Sequence, residues 1–228
     1  MNTPYLLIDA DTGIDDSIAI LYALRQKNVR VVGITTVCGN TTAQQAAENT
    51  LRLIALSGVS EPVPVAVGAA QPLLGGWSGP AVQIHGENGI GNVQLPPTPQ
   101  KPVEESACDF ILRMAHTYPG ELTLVMLGRM TNLALALERA FLIFLKTYHA
   151  PGNVTPVAEA NIAGDPEAAD RVFCAGFDLT MVGLDVTEQV RLTAEHTALL
   201  EKYALPETRA TAAYIRQAMD FYFTFNRM

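Results

Sequence analysis

Short apolar runs rich in Val, Ile and Leu alternate along this chain with longer stretches of helical period. Strands that are apolar without alternation must be covered on both faces, and crossover helices provide that cover for parallel strands. The pattern predicts an α/β fold: doubly wound, a mostly parallel sheet flanked by helices, with a Rossmann-like core. Strands are expected at 5–8, 29–37, 63–67, 122–127 and 179–184, and helices at 14–26, 42–56, 103–117, 130–138, 165–175, 193–203 and 207–225. Gly58 ends the second helix. Residues 69–100 hold many Gly and Pro and little periodicity, which reads as a long functional loop. The apolar segment 141–148 is left open as to type. With 228 residues, 49% hydrophobic and 17% charged, the chain can bury one large core, and a single domain over 1–228 is expected.

The formal net charge of -8 and the absence of any Lys/Arg cluster argue against a nucleic-acid partner, leaving a small molecule or metal ion as the expected ligand. Cys38, Cys108 and Cys174 lie far apart with no CxxC spacing, which favours a reducing compartment over a disulfide scaffold. The amino terminus lacks the basic start and apolar run of a signal peptide, and no apolar stretch approaches the ~20 residues that span a bilayer. A soluble, cytoplasmic protein with no membrane partner is expected.

The most informative stretch is Asp9-Ala-Asp-Thr-Gly-Ile-Asp-Asp16, where Asp9, Asp11, Asp15 and Asp16 crowd a strand-to-helix turn. Carboxylates at close range raise one another's pKa and destabilise the fold unless a cation or strong donors compensate, and an oxygen-rich set suits a hard ion such as Ca²⁺ or Mg²⁺. Helix capping by Asp15 or Asp16 is the plainer reading, but it accounts for one or two of the four. Open α/β sheets bind ligands beyond the carboxyl ends of their strands. There the second strand delivers Thr35-Thr36-Val37-Cys38-Gly39-Asn40, and the strand ending at Leu127 runs into Gly128-Arg129-Met130-Thr131-Asn132. Asn40 and Thr131 are thus candidate ligands, against an ordinary use in turns and caps.

Together with Ile84-His-Gly-Glu-Asn-Gly-Ile-Gly91 and Gly152-Asn-Val-Thr-Pro-Val-Ala-Glu-Ala-Asn161, these motifs resemble, in order and approximate spacing, the inosine-uridine preferring nucleoside hydrolase family from about residue 5 onward. The resemblance implies hydrolysis of the N-glycosidic bond of purine or pyrimidine ribonucleosides to ribose and free base, in nucleoside salvage and purine nucleoside catabolism. It implies Ca²⁺ held by Asp11, Asp15, Asp16 and the main-chain carbonyl of Thr131, with Asp11 as general base on the attacking water. It places Asp15, Asn40, Asn153, Glu159 and Asn161 on the ribose and His85 in a mobile loop over the base. Asp9 is expected to support the turn. A homodimer or homotetramer is implied as well.

Two departures stand out. Only residues 140–150 separate the helix after Thr131 from Gly-Asn-Val-Thr, where the family places a further strand ending in Met-Gly-Gly. The family also continues into a segment with a His-Asp pair, whereas His85, His116, His149 and His196 stand in no such context. The expectation is a C-terminally incomplete domain whose turnover is weak or lost. A binding remnant that holds nucleoside or ribose without cleaving it is the alternative, and a chain that folds poorly alone is another. A phosphatase of the haloacid dehalogenase type is disfavoured, because Asp9-Ala-Asp11 leads into Thr12-Gly13 and Asp15-Asp16 instead of that family's pattern.

Overall fold

The computed structural model describes residues 3–140, 158–176 and 178–225. Four parallel strands, β1 (Tyr5–Ala10), β2 (Arg30–Thr36), β3 (Val65–Val67) and β4 (Leu122–Met126), form one sheet in the order β3-β2-β1-β4. Helices α1 (Ile14–Arg25) and α2 (Ala43–Ser57) link the first three strands. Between β3 and β4 come α3 (Val82–His85) and α4 (Ala107–Thr117), and β4 leads into α5 (Thr131–Ala140). Then follow α6 (Ala160–Gly164), α7 (Pro166–Phe173), α8 (Leu184–Thr187), α9 (Ala194–Lys202), a 3-10 turn at Pro206–Thr208 and α10 (Arg209–Phe225).

Successive residues of β1 point to opposite faces, so Leu7 and Ile8 seed two separate cores. Leu7 packs with Phe110 and Ile111 of α4, Leu133 of α5 and Val172 of α7. Ile8 packs with Ile20 of α1 and Leu51 and Ile54 of α2. A Cβ at Gly33 would fall 2.4 Å from the Phe110 ring, so glycine is what lets α4 lie this close to β2. A third cluster brings α10 against α1 through Ile14, Leu21, Tyr214, Ala218 and Met219. The chain moves outward from β1 through β2 to β3, then returns to set β4 on the other side of β1. That reversal opens a crevice at the carboxyl ends of β1 and β4, where such sheets hold their ligands.

The fold class matches the sequence reading, and Gly58 ends α2 at φ 70° as expected. Two expectations are corrected. The helix expected from 103 starts at Ala107, because Ser106 caps it through the Asp109 N–H and Val103 instead bridges Ala66 beside β3. Residues 179–183 form no strand; Leu179, Met181 and Val182 are exposed, and a strand exists only where a neighbour completes its ladder. The stretch 69–100, expected as a long loop, is largely without regular structure apart from α3, and it anchors Ile90 and Leu95 in the core. The segment 141–148 lies outside the described residues. No helix among the described residues is long and apolar enough to cross a membrane.

Candidate active site

The carboxyl end of β1 turns into α1 through Asp11, Thr12 and Gly13, and the four aspartates fall into different environments there. Asp11 and Asp16 are both buried. Asn40, at the end of β2, binds them together: its main-chain N–H donates to Asp11 Oδ2 at 2.7 Å, while its Nδ2 donates to Asp11 Oδ1 at 3.1 Å and Asp16 Oδ2 at 3.0 Å. Asp16 also accepts the Gly13 N–H at 2.7 Å, so capping is real for this one residue. Two glycines make the approach possible, since a Cβ at Gly39 would lie 1.8 Å from Asp11 Oδ2 and one at Gly13 2.5 Å from Asn40 Nδ2.

Burial dominates the electrostatics. It pushes the Asp11 carboxyl up to about 6, with the Asn40 N–H pulling the other way. Burial, then the charges of Asp11 and Asp15, raise Asp16 well above the usual carboxylate range. Burial raises both carboxyls, which share the Asn40 Nδ2 as a donor. Asp15 is exposed, 3.9 Å from His85 Nδ1. His85 is buried beneath the start of α1, where its Nδ1 accepts the Ile14 N–H at 3.1 Å, and burial lowers its pKa. An accepting Nδ1 fixes the neutral tautomer protonated at Nε2.

Asp9 faces away from this pair. Its Oδ1 accepts from Thr35 Oγ1 at 2.5 Å and Asn132 Nδ2 at 2.8 Å, its Oδ2 has no partner, and burial pushes it up to about 6. Thr131 is buried, with Oγ1 donating to Asp165 Oδ2 at 2.5 Å. Asn161 reaches the same rim by donating to the Leu127 carbonyl at 2.8 Å. Glu159 caps α6, its carboxylate accepting the Asn161 and Ile162 N–H groups. Asn153 lies outside the described residues. Asn132, Asp165 and Thr35 had escaped sequence reasoning. Thr35 and Asn132 sit inside quoted motifs, and Asp165 before Pro166 has the form of a helix cap, but nothing in the chain order joins them.

Among the described residues no three acidic, His or Cys side chains converge as a metal cage. The donor set still fits a hard cation: two buried carboxylates joined by an amide, with raised pKa values and hydrogen bonds drawn from main-chain and amide N–H groups. A cation there would offset the like charge of the two carboxylates.

A parallel α/β sheet with buried carboxylates in its crevice has the form of a site for a small polar ligand. The family model for the inosine-uridine preferring nucleoside hydrolases matches residues 6–228, and the chain belongs to that family. It is similar to uridine nucleosidase 1 of Arabidopsis thaliana, 46% identical over 197 residues that cover 82% of this chain and 58% of the relative. It is also similar to the inosine-uridine preferring nucleoside hydrolase of Leishmania major, at 35% identity over 95% of this chain and 70% of the relative. Among solved structures, a plant nucleoside hydrolase, PpNRh1, superposes with a TM-score of 0.89 at 35% identity, covering 99% of this chain and 73% of that one. The purine-preferring ribonucleoside hydrolase of Gardnerella vaginalis superposes with a TM-score of 0.87, also at 35% identity, covering 98% and 73%. The chain therefore spans about three fifths of the length of the Arabidopsis relative.

Proposed function

We propose that this chain hydrolyses the N-glycosidic bond of ribonucleosides, with Ca²⁺ held by Asp11 and Asp16 and aided by Asp15 and the Thr131 main-chain carbonyl. The observation that carries the reading is the buried Asp11–Asp16 pair at the end of β1, joined by Asn40. When bound, the cation would supply the positive charge that holds vicinal ribose hydroxyls and the attacking water. Asp11 accepts the water's proton as the oxygen joins C1′. The C1′–N bond breaks with its electron pair passing to the base nitrogen, which then takes up a proton. The transition state carries positive charge on the ribose ring, and hydrogen bonds to its hydroxyls strengthen as that charge grows. Asn40, Asn153, Glu159 and Asn161 are the residues we assign to those hydroxyls, and His85 to the side of the base.

Uridine and inosine are the substrates to test first, since the Arabidopsis relative is named for uridine and the Leishmania relative for inosine and uridine. The purified chain, incubated with each nucleoside in Ca²⁺ and in excess chelator, is expected to release reducing sugar and free base only with Ca²⁺. Failure of Ca²⁺ to bind would refute the reading. Nucleoside binding without release would replace it with a binding protein. We place the protein in the cytoplasm because Cys38, Cys108 and Cys174 lie far apart with no CxxC spacing, and we expect a homodimer or homotetramer, which sedimentation would decide.

A further inference from the structure

Asn132 is the second residue of α5 and is buried, with its whole amide committed. Its Nδ2 donates to Asp9 Oδ1 at 2.8 Å and to the Thr36 carbonyl at 2.9 Å, while its Oδ1 accepts the Ala69 N–H at 2.8 Å. These partners belong to the end of β1, the end of β2 and the segment just beyond β3, and Asn132 itself follows β4. One planar group therefore registers the carboxyl ends of all four described strands against one another. The approach is close: a Cβ at Gly68 would lie 2.2 Å from Asn132 Oδ1 and 2.4 Å from the Thr36 carbonyl oxygen. Asp9 completes the joint by accepting Thr35 Oγ1 on the same oxygen.

We propose that Asn132 is the positioning residue of this site, holding the β4–α5 turn, and the Thr131 main chain within it, in register with the strand that carries Asp11. The inference rests on the functional reading above, in which Thr131 and Asp11 serve one ligand. Three partners need two donors and one acceptor from a single planar group, and only a primary amide supplies them. Aspartate at 132 has no N–H for Asp9 or Thr36 and adds a like charge beside Asp9. Alanine leaves three buried polar groups without their partner.

The test compares Asn132→Ala, Asn132→Asp, the swap Asp9→Asn with Asn132→Asp, and Leu51→Ala as a core variant of lowered stability whose side chain takes no part in the joint. Ca²⁺ alone is the probe, titrated calorimetrically, with amide hydrogen exchange followed over 66–73 and 127–135. Asn132→Ala and Asn132→Asp should weaken Ca²⁺ binding by about tenfold or more, the magnitude seen when partners that orient metal ligands are removed. The swap should bind better than Asn132→Asp, and Leu51→Ala should bind like the wild type. Exchange at Ala69 and through the β4–α5 turn should quicken in Asn132→Ala. Unchanged Ca²⁺ affinity, or a loss no larger than in Leu51→Ala, would overturn the proposal. If the wild-type chain binds no Ca²⁺, the functional reading fails by itself. The positioning claim is then judged on exchange, and unaltered protection in Asn132→Ala refutes it.

Discussion

Replacing Asp11 by Asn should make the metal-free protein more stable at neutral pH while removing the Ca²⁺ affinity proposed for it. Burial pushes Asp11 from 3.8 to about 6, so its ionised form is disfavoured in the folded chain. The sign follows from proton uptake: between the two values the folded state binds more protons than the unfolded chain, so stability falls as pH rises from about 4 through about 6. Above that window the penalty is complete, about 3 kcal/mol. Asparagine escapes it but turns an N–H₂ toward the Asn40 side chain or main-chain N–H, giving back about 1 kcal/mol. The net gain is about 2 kcal/mol at pH 7.5, a rise of roughly 4–8 °C in melting temperature for a chain of this size. Near pH 4 the gain should vanish or reverse, since wild-type Asp11 is then protonated in the folded state. Melting followed by circular dichroism in chelator at both pH values reads this directly. A melting temperature lower than wild type at pH 7.5 would refute the idea that Asp11 is a strained carboxylate awaiting a cation. Added Ca²⁺ should raise the melting temperature of the wild type and leave Asp11→Asn unmoved.

Gly39→Ala should force Asp11 off its Asn40 donors, because the new Cβ would sit 1.8 Å from Asp11 Oδ2; calorimetry should show Ca²⁺ affinity reduced at least about tenfold, and melting a loss of about 1–3 kcal/mol. Thr12, at φ 20°, holds the turn into α1 through a 2.8 Å bond between its buried hydroxyl and that of Thr50. Thr50→Val should cost about 1–2 kcal/mol in urea denaturation, and an unchanged midpoint would show that the hydroxyl pair contributes nothing. Tyr214→Phe removes the 2.7 Å bond from α10 to Ser17 of α1; a loss of about 1 kcal/mol by the same measurement is expected, with β1 untouched.

Much of the fold was legible because it depends on local periodicity. Unbroken apolar runs marked β1 to β4, helical spacing marked α1, α2 and α5, and Gly58 marked the end of α2. The exceptions share one cause, which is that partners decide. Val103 looked like the start of a helix, yet Ser106 caps α4 and Val103 bridges Ala66. Residues 179–183 have the composition of a strand without a ladder to join.

For the site, chain order by itself determined that four carboxylates gather where a strand meets a helix, and that Asn40 and Thr131 lie at the ends of neighbouring strands. Where each aspartate lies and what it bonds was settled only by the tertiary structure. Asp16 caps α1 and shares Asn40 with Asp11, Asp15 faces solvent near His85, and Asp9 turns aside to Thr35 and Asn132. Asn132 meets Asp9 across 123 positions of sequence. Spacing along a chain fixes which faces neighbouring residues share, but burial and long-range hydrogen bonds arise only once sheet order is set. Those two quantities decide whether a carboxylate binds, caps or braces.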